Sequence, residues 1–157
     1  MAKGTPATLA LEKAGVAFTL HEYEYDPGAD SIGMQAAQAL GVDPARLLKT
    51  LMAKAGSDVV CVLAPSDKEV SLKKLAAAAG AKDAAMLKPA EAERVTRYRV
   101  GGISPFGQKK RVPVFIEAAA MTHQTVIFNG GRRGLQIELP PAELVRLLGA
   151  TQAALCA

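Results

Sequence analysis

The sequence predicts an α+β fold, with a mixed, largely antiparallel sheet core and peripheral short helices. Three observations lead there. Helix signals alternate with apolar strand-like runs, but without the regular βαβα rhythm of a doubly wound sheet. Two apolar runs flank Gly56-Ser57 in the manner of a hairpin. The C-terminal half adds three strand-like runs, the last two separated by a glycine-rich turn. No internal repeat, low-complexity linker or boundary interrupts the chain, so one domain spanning residues 1–157 is expected.

The elements follow in order. "TPATLALEKAG" reads as a short helix, capped by Thr5, with Pro6 in its first turn and Gly15 at its end. "VAFTLHEYEY" reads as a strand of imperfect period, broken by "DPG". Ser31 caps a helix through "IGMQAAQAL" that Gly41 stops, and Asp43-Pro44 begins another turn of helix in "DPARLL". "LLKTLMAKAGSDVVCVLAP" is the hairpin. "SLKKLAAAAG" is a helix between Ser71 and Gly80, and Pro89 starts "PAEAERV". Strands are expected at "VPVFIEA", "HQTVIFN" and "LQIEL". "PPAELVRLLGA" closes as an amphipathic helix with Leu144, Leu147 and Leu148 on one face.

Composition narrows the classes. Half of the 157 residues are hydrophobic and 22% are charged, which excludes a disordered chain. Aromatics are 4% and Trp is absent, so the core must be built mainly from Ala, Val and Leu. No apolar run reaches the roughly 18 residues of a membrane span, so no membrane partner is expected. The opening lacks the continuous apolar core of a signal peptide. Two cysteines make no disulfide framework. Cys61 in "DVVCVLAP" reads as a buried, inert thiol and Cys156 as part of a mobile end; a reducing, cytoplasmic location fits.

The net charge of +4 permits a nucleic-acid partner without requiring one. Its distribution says more. Lys88, Arg94, Arg97, Arg99, Lys109, Lys110 and Arg111 stand against Glu91 and Glu93, and Arg132-Arg133 add a second pair. The stretch "VGGISPFGQKKR" sets Gly101, Gly102 and Gly107 beside three consecutive cations. A loop both bare and basic fits contact with an anion; it also fits a surface turn with solvated charges.

Common catalytic sets are missing. There is no CxxC, HExxH or Gly-x-Ser-x-Gly, and His21 and His123 lie far apart and read as structural or surface residues. No metal and no cofactor are expected. "GGISPFGQKK" lacks the spacing of a phosphate-binding P-loop and the hydroxyl residue after its lysine, which argues against an ATPase. Lys49 stands out. Strand alternation puts Leu47, Lys49 and Leu51 on one face and Leu48, Thr50 and Met52 on the other, so both faces are apolar. The lysine either reaches water at a sheet edge or meets an anion on the floor of a pocket.

Taken together, "TPATLALEKAGVAFTLHEYEYDP", "LLKTL", "SLKKLAAAAGAK", "YRVGGISPFGQKKRVPVFIE" and "GGRRGLQIEL" resemble the YbaK/EbsC group of the bacterial prolyl-tRNA editing superfamily, the Cys-tRNA(Pro) deacylases, over nearly the whole chain. The resemblance implies that fold, with a YbaK-like deacylase domain, and removal of a wrong amino acid from tRNA. The family lysine falls on Lys49 and its GxxxP loop on Gly101, Gly102, Ile103, Ser104 and Pro105. Pocket positions fall on Tyr23, Ile32 and Thr50. Asn129 stands where the family pattern has Ser, and Gln136 where it has Asp, which leaves amino-acid preference less defined than reaction class. The implied mechanism lets the cysteinyl thiol attack its own ester carbonyl and leave as a cyclic thiolactone, with Gly101 and Gly102 N–H groups as oxyanion donors. Lys49 would hold the phosphate or ribose of the terminal adenosine. Lys109, Lys110, Arg111, Arg132 and Arg133 would meet the acceptor stem. The implied partners are aminoacylated tRNA and prolyl-tRNA synthetase, the synthetase supplying tRNA selectivity. Rival readings are a deacylase for Ala-tRNA(Pro) or another small mischarged amino acid, and a non-catalytic module that binds tRNA or synthetase.

Overall fold

The computed structural model describes residues 4–26 and 32–157. Thr5 caps α1 (Pro6–Lys13) reciprocally: Thr8 N donates to Thr5 Oγ1 at 3.2 Å, and Thr5 N donates to Thr8 Oγ1 at 2.8 Å. β1 (Thr19–Glu22) precedes α2 (Ile32–Leu40). Ser31, expected to cap α2, and the Pro27-Gly28 break lie outside the described residues. The expected helical turn at Asp43-Pro44 is one hydrogen-bonded turn, Arg46 N donating to Asp43 O at 2.9 Å, before β2 (Leu47–Ala55) begins. Strand wins because Leu47 and Leu48 are buried on opposite faces.

β2 pairs with β3 (Asp58–Pro65) as the predicted hairpin, from Ala55↔Asp58 to Leu48↔Pro65, across Gly56-Ser57. α3 (Leu72–Ala79) runs from Ser71, whose Oγ accepts from Lys74 N at 3.2 Å, to Gly80 in the left-handed region. Then come β4 (Ala84–Met86), α4 (Pro89–Thr96), β5 (Val114–Glu117), a 3-10 turn at Ala118–Thr122, β6 (Val126–Asn129), β7 (Leu135–Leu139), α5 (Pro141–Leu148) and β8 (Thr151–Ala153). β4 and β8 were not anticipated; at three residues each, alternation cannot declare itself.

Among the described residues one sheet of eight strands runs β1-β7-β6-β2-β3-β5-β8, with β4 beside β2. β2–β6, β3–β5 and β5–β8 are parallel and the other pairings antiparallel, so the sheet is mixed as expected. Leu48, Met52, Leu63, Ile116, Phe128, Ile137 and Leu144 pack on one face; Leu47 and Ile127 pack with Ala36 and Ala37 of α2 on the other. Aliphatic residues dominate, and Phe106 and Phe128 supply a tilted ring pair at 5.7 Å.

The C-terminus corrects one expectation. Cys156 is tied down rather than mobile: it bridges to Val70, and Glu117 Oε1 accepts from Leu155 N at 2.8 Å and Cys156 N at 3.0 Å. Burial alone would raise the Glu117 carboxyl; hydrogen bonds from the Ala119, Leu155 and Cys156 amides outweigh it and hold the pKa below its ordinary value.

Candidate functional site

The site begins with a fork in the sheet. β3 covers one edge of β2 along nearly its whole length. The other edge is shared: β6 takes Leu47 and Leu48, and β4 takes Ala53 to Ala55. Ile127 N donates to Arg46 O at 2.9 Å and Leu87 N to Met52 O at 3.0 Å, so even-numbered residues turn their main-chain groups toward this edge. The main-chain groups of Thr50 therefore face the gap between β6 and β4.

A cavity of about 370 Å³ opens at the gap and reaches both sides of the sheet. That volume falls in the usual range for small-ligand sites. Lys49, Thr50, Gly101, Ile103, Asn129 and Gln136 line it, with Met86 and Leu87 completing a wall. The predicted alternation holds, since Leu47 and Leu48 go to opposite faces. Both faces of β2 are apolar because each packs against a hydrophobic cluster: Leu48 and Met52 on one side, Leu47, Leu51 and Ala53 on the other. Among the described residues the Lys49 ammonium has no hydrogen-bond or ion-pair partner.

Two polar atoms lining this space, Thr50 Oγ1 and Gln136 Oε1, are buried without a hydrogen-bond partner, and the buried Tyr23 Oη lies beside the Gln136 amide. Each such orphan costs on the order of 1–3 kcal/mol, so native structures keep few of them. Gln136 sits opposite Asn129 on β6 and His21 on β1, while Tyr23 packs beside α2 near Gln136. Burial raises the Tyr23 phenol, the neighbouring Tyr25 adds to this, and the Gln136 amide offsets part of it. Ile32 opens α2, but its side chain lies outside the described residues.

The glycine loop divides its labour differently from the expectation. Gly101 lines the cavity with φ +89°, in the left-handed region. Gly102 N–H donates to Arg99 O at 2.8 Å and is already spent. A Cβ on Gly102 would stand 3.0 Å from the Arg132–Arg133 backbone, so its bareness serves the packing of two loops. Ser104 is fully buried and its Oγ accepts from Phe106 N at 3.3 Å; Pro105 lines a second cavity of about 250 Å³ against α1 and α5. Neither borders the Lys49 cavity.

The cations are also sorted. Lys109, Lys110 and Arg111 are exposed, and none borders the Lys49 cavity; Arg111 flanks the second one. Arg132 Nη2 pairs with Glu22 at 3.2 Å. Arg133 Nε donates to Val100 O at 3.0 Å, and its guanidinium lies 5.3 Å from the Tyr25 ring centre.

His21 is structural, as expected: its Nε2 meets Glu138 Oε1 at 2.7 Å, while Arg46 and Thr125 donate to Glu138 Oε2 at 2.8 and 2.6 Å. Cys61 is fully buried, which pushes its thiol up to about 12 although the Gln108 amide offsets part of the rise. Burial and the Glu117 carboxylate push Cys156 up to about 11, against the opposing charges of Lys49 and Lys68. No cluster of three His, Cys, Asp or Glu able to hold a metal occurs among the described residues.

Sequence reasoning missed the wall formed by Met86, the last residue of β4, and Leu87 after it, because a three-residue strand is too short to register. It also missed the tie from Arg133 to Val100, since nothing in "GGRRG" distinguishes a guanidinium facing RNA from one facing its own chain.

The aminoacyl-tRNA editing domain model matches residues 26–147. Over 130 residues the chain is 38% identical to EbsC of Enterococcus faecalis (strain ATCC 700802 / V583), described as a candidate Cys-tRNA(Pro)/Cys-tRNA(Cys) deacylase, covering 80% of this chain and 78% of that one. It is 35% identical over 111 residues to YwhH of Bacillus subtilis (strain 168), covering 70% of each. A crystal structure described as a candidate trans-editing enzyme for prolyl-tRNA synthetase superposes with a TM-score of 0.85, over 97% of this chain and 95% of that one. At 24% identity, that likeness speaks for the fold.

Proposed function

The chain belongs to the aminoacyl-tRNA editing domain family, and from that premise we propose that it is a trans-acting deacylase that removes cysteine from mischarged Cys-tRNA(Pro), and from Cys-tRNA(Cys). One observation carries the reading: the unpartnered Lys49 ammonium, the Gly101 main chain and the orphaned polar atoms of Thr50 and Gln136 border one cavity.

The chemistry asks little of the protein. An aminoacyl ester of tRNA is already activated, so holding the reacting atoms together supplies much of the acceleration. The cysteinyl thiol sulfur forms a bond to the ester carbonyl carbon, and the bond from that carbon to the 3′ ribose oxygen breaks. The thiol proton ends on the departing ribose oxygen, and the amino acid leaves as a thiolactone. Negative charge on the carbonyl oxygen is met by the Gly101 N–H, since Gly102 N–H is engaged elsewhere. Lys49 holds the terminal phosphate or ribose, with direct proton transfer the second choice. Tyr23, Thr50 and Gln136 offer groups to the aminoacyl part, and Ile103 an apolar wall. The exposed Lys109, Lys110 and Arg111, and the outer faces of Arg132 and Arg133, serve the acceptor stem through phosphates, which gives affinity without sequence reading. Selectivity for tRNA(Pro) then comes from a complex with prolyl-tRNA synthetase. Free thiols at Cys61 and Cys156 suit a reducing cytoplasm.

The decisive experiment is product analysis on Cys-tRNA(Pro) without added metal or ATP. Thiolactone at early times, opening later to cysteine, is expected. Faster release of alanine from Ala-tRNA(Pro) would replace thiol attack with attack by water. Cleavage of Cys-tRNA(Cys) with and without the synthetase tests where selectivity resides.

A further inference from the structure

The cavity wall at Gly101 consists of two successive peptide units, and each is held by a side chain distant in sequence. In the Val100–Gly101 peptide, the Val100 carbonyl accepts from Arg133 Nε at 3.0 Å. The C=O and N–H of a trans peptide point in opposite directions, so Gly101 N–H points away from Arg133. Gly101 lines the cavity and Arg133 does not. In the next peptide, the Gly101 carbonyl accepts from Asn129 Nδ2 at 2.9 Å, and Gly102 N–H donates to Arg99 O at 2.8 Å. That unit is locked at both ends. Both ends of Asn129 are engaged, since its Oδ1 accepts from Gly131 N at 2.7 Å.

A lock is needed because glycines stand at 101 and 102. Glycine places little restraint on φ, so an unheld peptide here can rotate. Rotation of the Val100–Gly101 unit would aim a carbonyl oxygen, instead of an N–H, at the place where negative charge develops. We propose that Arg133 and Asn129 are positioning residues that jointly keep the Gly101 N–H aimed into the cavity as the oxyanion donor, an inference resting on the deacylase reading above. This gives a positioning role to the inner face of Arg133, read above as a tRNA contact, and to Asn129, read above as a substrate contact.

Two conservative variants test it, with kcat and KM measured on Cys-tRNA(Pro). Arg133→Lys keeps the charge available to phosphate but loses the planar Nε donor. Asn129→Asp keeps the acceptor for Gly131 N–H but sets an oxygen against the Gly101 carbonyl. Each is expected to lower kcat about tenfold or more while KM stays within about twofold and salt dependence is unchanged. Thermal melts establish that each variant is folded; Arg133 is exposed, so Arg133→Lys does not disturb the core. Unchanged kcat in both folded variants, or a rise in KM with a flatter salt dependence in Arg133→Gln, overturns the proposal. In those cases the wild-type protein still deacylates. Wild-type protein inactive on every charged tRNA overturns the deacylase reading itself, and the proposal with it.

Discussion

Lys49 on β2 and Gly101 on the loop after α4 line one cavity, although nothing in the intervening sequence announces that they meet. The ammonium has no partner within the described residues, so removing it orphans no carboxylate. Lys49→Ala is therefore expected to melt within a few degrees of the wild type and to lose at least about a hundredfold in release from Cys-tRNA(Pro). A folded, fully active variant would refute the assigned role.

Thr50 carries a different signature. Its buried hydroxyl has no partner, so the folded protein bears the desolvation of that group without return. Thr50→Val keeps the shape and is expected to raise stability by about 1 kcal/mol while lowering kcat/KM. Calorimetry and steady-state rates on the same preparation decide it. A variant less stable than wild type would mean the hydroxyl is satisfied after all.

Glycine substitutions separate backbone strain from collision. Gly80 and Gly107 both have φ +70°, but a Cβ on Gly80 meets nothing within 4 Å, whereas on Gly107 it meets the Pro6 carbonyl at 2.5 Å. Gly80→Ala is expected to cost about 1 kcal/mol and Gly107→Ala more than about 2 kcal/mol, read from urea melts. Equal costs would show that the α1 contact is soft.

The Glu138 cluster makes stability depend on pH. The Thr125 hydroxyl chiefly, then His21 and Arg46, hold the Glu138 carboxyl below the ordinary value of 4.5 against the opposing effect of burial. Because the folded value is the lower one, the stabilisation is complete above the unfolded value and disappears as pH falls through the folded value. Glu138→Gln should cost about 1 kcal/mol at pH 7, and the difference from wild type should shrink below pH 4.5. A gap constant from pH 7 into strong acid would exclude the charge as its source.

Thiol reactivity should follow burial. Cys61 is completely enclosed with its thiol pushed up to about 12, so alkylation of the native protein at pH 8 should leave it untouched and modify Cys156 slowly. Rapid double labelling would imply opening of β3.

Periodicity and punctuation alone located the helices after Thr5, Ser71 and Pro89, the hairpin across Gly56-Ser57, and the anomaly of a lysine between two apolar faces. These features are local: caps, turns and alternation act within a few residues, so a single chain carries them legibly. The resemblance to an editing family rested on motifs that were likewise readable in sequence. Tertiary structure decided what those motifs do. The fork between β6 and β4 turns Lys49 and Thr50 toward one space from opposite faces. Contact with the 130–134 turn explains the bareness of Gly102, and contact with Pro6 explains that of Gly107. The two arginines, read as free cations, proved to hold Glu22 and the Val100 carbonyl. Each of these outcomes depends on which distant segments lie side by side, and hydrogen-bond partners chosen across a sheet leave no trace in local spacing.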